Sequence, residues 1–301
     1  MNNEEIIEHF RNLTVWKRSG ERAPHKPLLA LYAFGRLLQN KDRMIPYEEV
    51  DKNLNVLLRE FGPARENYHT EYPFWRLQND KVWEVIEAEK VVLNKSGDPK
   101  KSDLLTCGVA GGFPERLYAK FQTNKKIVFK IVQELLDSNF PPSIHEDILQ
   151  TVGIDLDSQK VEGKTRHPGF RENVLRAYEY RCAVCGFDVR LGHIPIALEA
   201  AHIKWSQAGG PDTEVNGIAL CSLHHKLFDR GAFTLSDRMN ILVSTHANGT
   251  MGFQEWLMNF HGKSIAPPQK KTYCPEMEFV EWHVSEVFRG EYRELYDSVD
   301  G

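Results

Sequence analysis

No apolar run in this 301-residue sequence approaches the roughly 20 residues that a membrane-crossing helix requires. Positive charge is not in excess either. Lys and Arg number 38 against 42 Asp and Glu, for a formal net charge of -4. This argues against broad nonspecific binding of a polyanion, so any nucleic-acid partner must meet locally concentrated cations. Cysteines are few and odd in number, five, and Cys107 and Cys274 have no evident partners, which fits a reducing cytoplasm. The first ten residues are acidic and helical in character and do not read as a signal peptide. Internal repeats and low-complexity tracts are absent. What is present is ordinary globular composition, 41% hydrophobic and 27% charged, long enough for two cores.

Chemistry concentrates between Cys182 and Asp229. Three of the five cysteines and four of the twelve histidines lie here. Cys182 and Cys185 form a C-x2-C pair, and Cys221 and His224 a C-x2-H pair. Two short pairs of soft ligands suit tetrahedral Zn2+, each pair closing a turn around one edge of the tetrahedron. The 35 residues between the pairs are too many for a small DNA-reading finger and enough for a strand-rich excursion stapled at its base.

The remaining polar residues of this stretch support a hydrolytic reading. His202 ends an apolar run, Ile194 to Ala201, that reads as a strand; Asn216-Gly217 reads as a turn; His225 opens a helical turn. Phosphodiester hydrolysis needs a base to activate water and a divalent cation to take up charge on the phosphate. His202 is the candidate base, Asn216 the residue that orients ring or loop, and His225 the candidate ligand of the catalytic metal. A blander reading makes His225 a second candidate zinc ligand and His202 a satisfied core histidine.

Along the rest of the chain, periodicity predicts helices near Ile6 to Leu13 and over Leu28–Leu38, Tyr47–Phe61, Pro114–Gln122, Lys125–Leu136, Ile144–Val152 and Phe170–Tyr180. Short strands are expected around Trp75 to Leu77 and Val82 to Ile86, with Asn79-Asp80 as their turn. Residues 90 to 112 read as a loop, and 155 to 168 as a linker. Two strands, Ala232–Leu235 and Asn240–Ser244, and an amphipathic stretch at Phe279–Phe288 follow. A cationic loop, Trp16 to Pro27, precedes the second helix, whose free amides beside His25 and Lys26 suit an anion.

From about Phe170 to Ser236 the sequence resembles an HNH nuclease domain of the ββα-metal class, through Glu199-Ala-Ala-His-Ile, Asn216-Gly-Ile-Ala-Leu-Cys and His224-His-Lys-Leu-Phe-Asp-Arg-Gly. Many such sites carry an acidic metal ligand just before the first His; here that position is Ala201, and Glu199, on the same strand face, is the candidate substitute. Residues 5 to 150 resemble the sulfur-binding domain of phosphorothioate-dependent restriction endonucleases, through Arg22-Ala-Pro-His-Lys-Pro-Leu-Leu and Glu71-Tyr-Pro-Phe-Trp-Arg-Leu.

Together the resemblances imply an α+β protein. A mostly helical DNA-reading domain with a small sheet (1–154) is followed by a linker (155–168) and a zinc-stapled HNH domain with a C-terminal extension (169–301). The implied activity is cleavage of phosphorothioated double-stranded DNA with Mg2+ or Mn2+, by a monomer or a homodimer. Tyr72 and Pro73 would form a sulfur cup backed by Trp75, while Arg22, His25, Lys26 and Arg76 would hold phosphate oxygens. The competing readings are an HNH nuclease that reads a modified base or plain sequence, and a non-catalytic zinc-stapled DNA-binding regulator.

Overall fold

The computed structural model describes residues 2–13, 23–155 and 168–295, and divides into two units, Met1–Gly163 and Lys164–Gly301. Both combine helices with short antiparallel strands, the α+β class implied by the sequence. Residues 156–167 of the expected linker lie outside the described residues.

The first unit opens with α1 (Asn3–Arg11). The Asn2 side chain accepts from the Glu5 amide, and the Glu5 carboxylate accepts from the Asn2 amide, each at 2.8 Å. This reciprocal cap satisfies two N–H groups that the helix cannot. The strongly apolar run becomes α2 (His25–Leu38), with His25, Lys26 and Pro27 in its first turn. Ten of its 14 residues are buried, so α2 is a core helix and not a surface one. It is followed by β1 (Ile45–Pro46), α3 (Tyr47–Phe61), α4 (Glu71–Arg76), β2 (Glu84–Ile86), α5 (Lys101–Thr106), β3 (Ala110–Gly112), α6 (Glu115–Thr123), α7 (Lys125–Asn139) and α8 (His145–Val152). Helices α3, α4, α6, α7 and α8 all pack on α2. Beside it, Phe10, Phe34, Phe113 and Phe121 meet ring against ring, with centroids from 4.6 Å (Phe34–Phe113) to 6.1 Å apart (Phe10–Phe121).

Two expectations are corrected here. Trp75 to Leu77 is helical, not a strand, and Asn79-Asp80 is a short 3-10 turn, not a hairpin loop. Phe74 and Leu77, three residues apart, are both fully buried, so the true period is helical; Arg76 between them mimics alternation. Residues 90 to 112 are not one loop, because they contain α5 and β3. Strand β3 lies between β1 and β2 in an antiparallel sheet. A Cβ at Gly111 would sit 2.6 Å from Trp83 Nε1 and 2.8 Å from Phe74, so two aromatics exclude any side chain. A glycine strand carries no β-propensity signal to read.

The second unit runs through α9 (Pro168–Ala177), β4 (Arg190–Leu191), β5 (Ile194–Pro195), β6 (Leu198–His202), β7 (Gly217–Cys221), α10 (Ser222–Asp229), β8 (Phe233–Leu235), β9 (Ile241–Val243), α11 (Met251–Trp256) and α12 (Met277–Glu286). The single strand expected over Ile194 to Ala201 is broken in two. Ala197 adopts φ +50°, so β5 turns back on β4 while β6 pairs with β7. That pairing runs from Leu198 opposite Cys221 to His202 opposite Gly217 and leads directly into α10. Helix α9 packs on both strands. A Cβ on Gly217 would lie 2.3 Å from Val174, so the glycine is what lets α9 close over the strand end. The C-terminal extension completes this core. His283 stacks on Phe228 at 3.8 Å, bonds Thr234 Oγ1 at 2.9 Å and donates to the Phe228 carbonyl at 3.1 Å.

Gly35 is where α8 closes on α2. An added Cβ would fall 2.0 Å from the Val152 carbonyl oxygen. Gly35→Ala is expected to destabilise the first unit by about 1–3 kcal/mol, the usual cost of overpacking, despite alanine's better helix propensity. Urea denaturation of the two proteins measures it; equal midpoints would show that the helices part without cost.

Candidate metal centre and active site

Cys182 and Cys185 sit on a tight knuckle between α9 and β4. The Cys182 amide donates to the Phe187 carbonyl at 2.9 Å, the Gly186 amide to the Cys182 carbonyl at 2.8 Å, and Gly186 takes φ +73°. The Ala183 amide donates to Ala219 of β7 at 2.8 Å, which fastens the knuckle to the strand that ends in Cys221. One turn later, His224 brings Nδ1 to 3.2 Å from Cys221 Sγ and 3.7 Å from Cys182 Sγ. The four donor atoms lie within 4.8 Å of one another. Three thiolates and an imidazole at such spacing are the donor set and size of a tetrahedral zinc site. His224 Nε2 donates to the Trp256 carbonyl at 2.9 Å, which leaves Nδ1 as the ligand atom. Burial opposes charge on His224, yet its bonds to the three sulfurs push its pKa up to about 12. The pocket therefore calls for a positive centre, and a metal cation answers that demand. Trp256 belongs to the C-terminal extension, as does Ala266, whose amide donates to Ala183 at 2.8 Å.

His225 points to the other side of α10. Its Nδ1 is 2.5 Å from Glu199 Oε2 and its Nε2 3.0 Å from Asp229 Oδ2. Asp229 accepts from the buried Trp205 indole at 3.1 Å, and Glu199 Oε1 from Ser222 at 2.9 Å. Burial works against a charged His225, but Asp229 first and Glu199 second outweigh it and hold the ring at about 9. The ring, protonated at neutral pH, donates from Nδ1 to Glu199 and from Nε2 to Asp229, a carboxylate on each side. Glu199, the candidate substitute for the side chain that Ala201 lacks, is the residue that meets His225 Nδ1.

His202, at the end of β6, lies flat on Phe170, with centroids 3.8 Å apart and planes 12° apart. Its Nε2 is 2.8 Å from Asp212 Oδ1. Asn216 is fully buried and ties the loop between β6 and β7 to itself. Its Oδ1 accepts from the Lys204 amide at 2.8 Å, and its Nδ2 donates to the carbonyls of Lys204 and Pro211, each at 3.0 Å.

The first unit gathers only some of its candidates. His25 lies close enough to Arg65 and His69 to feel their charge; burial first, then those two, lower it to about 4, so it is neutral at physiological pH. Tyr72 has His69 stacked at 5.2 Å and the Arg76 guanidinium 4.8 Å from its ring centre. Arg76 is also held in a fork by Asp98, at 2.6 and 2.5 Å. Trp75 is partly exposed. Pro73 is buried, and Lys26 is buried with Nζ 2.5 Å from Asp80, so neither faces solvent as the sequence reading placed it. Arg22 lies outside the described residues.

Sequence reasoning missed Asp212, Asp229, Ser222, Trp205 and Trp256 around the second site, and Arg65 and His69 around the first. Asp229 alone carried a local signal, since it stands four residues after His225 on one helix face.

Residues 3–157 match the family described as the ScoMcrA-like, DNA sulfur-binding domain, and residues 182–236 match the HNH endonuclease family. Among solved structures, the sulfur-binding domain of ScoMcrA complexed with phosphorothioated DNA is 22% identical, with a TM-score of 0.45, over 49% of this chain and 94% of that one. The sulfur-binding domain of SprMcrA complexed with phosphorothioated DNA is 19% identical, with a TM-score of 0.43, over 51% of this chain and 95% of that one. The modification-dependent TagI restriction endonuclease is 23% identical, with a TM-score of 0.29, over 44% of this chain and 41% of that one. The curated proteins contain no match.

Removing one sulfur should cost the second unit its fold, because a structural metal contributes folding free energy directly. Cys182→Ser is expected to lose the bound metal and the unfolding transition of Lys164–Gly301, leaving that of the first unit in place; metal analysis and calorimetry read both. His25 supplies a second prediction. Unfolded, it takes up a proton near 6.5; folded, not until about 4. Its share of stability is therefore full above pH 6.5 and declines as the pH falls towards 4. Urea midpoints should fall over that range less steeply in His25→Gln than in the wild type; parallel curves would contradict the assignment.

Proposed function

The chain belongs to the family of ScoMcrA-like DNA sulfur-binding domains, and from that membership we propose that it is a modification-dependent restriction endonuclease. The first unit binds duplex DNA at a phosphorothioate linkage, and the second hydrolyses a phosphodiester bond nearby. The observation that carries this reading is the pairing, in one chain, of a sulfur-binding unit with His202, Asn216 and His225 on a strand–strand–helix unit pinned by a Cys3His cluster.

A phosphorothioate replaces a nonbridging oxygen with sulfur, which is larger, more polarisable and less hydrated. An apolar wall accepts sulfur and penalises oxygen through desolvation. The Tyr72 ring, beside His69 and Arg76, is that wall, with Pro73 and Trp75 as its sequence neighbours. His25, neutral above about pH 4, offers a polar contact without charge, and Arg65 brings the cation to the same neighbourhood. Arg22 and Arg76 remain candidates for the phosphate oxygens. Lys26 acts from inside, anchoring the first turn of α2 through Asp80. Discrimination of ~1–3 kcal/mol is in line with a single apolar contact.

In the second unit, Cys182, Cys185, Cys221 and His224 would hold the zinc that sets the junction of β7 and α10. His202 removes the proton from the attacking water. Mg2+ or Mn2+, which His225 and Glu199 would hold, supplies positive charge to the phosphate and the departing 3′ oxygen. For a cation to bind there, His225 would give up the Nδ1 proton that it shares with Glu199, Asp229 would keep accepting from Nε2, and Asn216 keeps the loop in register. The case for a non-catalytic binder rested on Ala201, and the approach of Glu199 to His225 Nδ1 speaks against it. One HNH site cuts one strand at a time, so double-strand cleavage requires a homodimer or successive nicks. Action on DNA fits a cytoplasmic location.

The test uses two otherwise identical duplex pools, with and without phosphorothioate, in Mg2+ or Mn2+. The wild type is expected to cut only the modified pool. His202→Ala should cut it about 10²–10⁴-fold more slowly while still binding it, and Tyr72→Ala should lose preference for sulfur. Equal cutting of both pools by the wild type would refute the reader assignment, and unimpaired cutting by His202→Ala the base assignment.

A further inference from the structure

We infer that Asp212 is the positioning residue of the nuclease base, and that Asn216 acts on the base through it. This rests on His202 being the base, as proposed above. Asp212 lies in the loop between β6 and β7, ten residues beyond His202, with no helical or strand periodicity linking the two. Yet its Oδ1 stands 2.8 Å from His202 Nε2. The stacked Phe170 ring fixes the plane of the imidazole, and the Asp212 contact restrains its rotation within that plane. A carboxylate can only accept, so Nε2 carries the proton and the basic lone pair belongs to Nδ1. Asp212 therefore selects the tautomer, the edge presented to water, and the partner that stabilises the imidazolium formed when water gives up its proton.

The loop is built to keep that carboxylate in place. Asn216 Nδ2 donates to the carbonyl of Pro211, the residue before Asp212, while the same side chain grips both backbone groups of Lys204 at the loop's other end. The Gly210 amide donates to the Trp205 carbonyl at 3.0 Å, and a Cβ on Gly210 would sit 1.8 Å from the Lys204 oxygen. The two arms thus approach too closely for any other residue, and Asp212 is carried on the closed side of that clasp. The chain of positioning runs from Asn216 to Pro211, Asp212 and His202. The Asp212 side chain is 43% exposed and that of His202 17%, so the pair sits where water and substrate reach it.

A double-mutant cycle on the full chain tests this, with phosphorothioated duplex and Mg2+ or Mn2+, reading kcat and KM separately. Asp212→Ala is expected to lower kcat by roughly 10²-fold with KM unchanged. Formate should restore part of that loss, because it supplies a carboxylate to the vacated space. In the His202→Ala background, removing Asp212 should cost nothing more. Nitrogen-15 spectra of the His202 ring should show the Nε2–H tautomer in the wild type and a tautomer mixture in Asp212→Ala. If Asp212→Ala does not fold, judged by metal content and melting, Asp212→Asn carries the same kinetic and spectroscopic tests. Wild-type kcat in the Asp212 variant beside an impaired His202→Ala overturns this inference alone. A further loss on top of His202→Ala, or an unchanged tautomer, overturns it as well. Full activity of His202→Ala removes the base assignment, and this inference with it.

Discussion

The ligand cluster at the start of α10 is the constraint on which the second unit depends. Cys221 is the last residue of β7 and His224 lies in the first turn of the helix, so a bound metal fixes how strand and helix join. Successive residues on a helix are about 100° apart around its axis. Once His224 is turned to the sulfurs, His225 is obliged to point elsewhere, and it reaches Glu199 on β6 and Asp229 one turn on. Two adjacent histidines thus meet two different sets of partners because one helix face is pinned. The C-terminal extension reinforces the pin through the Trp256 carbonyl on His224 Nε2.

Both of these imidazoles are buried among anions. Burial disfavours a charged ring in each case, and in each the neighbouring sulfurs or carboxylates prevail. Of the two, the pocket around His224 also brings three sulfurs within 4.8 Å of one another and of the ring, the donor set of a metal site. His202 is arranged differently. Asp212 meets its Nε2, an aromatic ring lies beneath it and solvent reaches it, which suits a group that must exchange protons with water. The first unit inverts the pattern again: His25, near Arg65 and His69, is kept neutral, and the Tyr72 ring is flanked by cationic or ionisable neighbours.

How much of this was legible in the sequence follows from how local each interaction is. The cysteine pairs stand in short motifs, and the metal-donor set follows from their spacing. The helices over Tyr47–Phe61 and Lys125–Asn139 follow from periodic burial. Asp212 and Trp256 were not legible, because their contacts to His202 and His224 arise only when loops close. Gly111 reads as flexible loop until Trp83 and Phe74 show why nothing larger fits. Lys26 reads as a surface cation until Asp80, 54 residues later, arrives beside it. Arg76 between Phe74 and Leu77 shows that a three-residue alternation cannot separate a strand from a short helix.

We propose that reading and cutting are properties of separate units, and that the metal cluster serves only the second. The most direct test strips the structural metal from the full chain, restores Mg2+, and follows anisotropy of a labelled phosphorothioated duplex and its cleavage in one sample. Cleavage should disappear while binding, and its preference for the modified duplex, persist. Simultaneous loss of both would contradict the account, because the cluster would then hold up the reader as well as the nuclease.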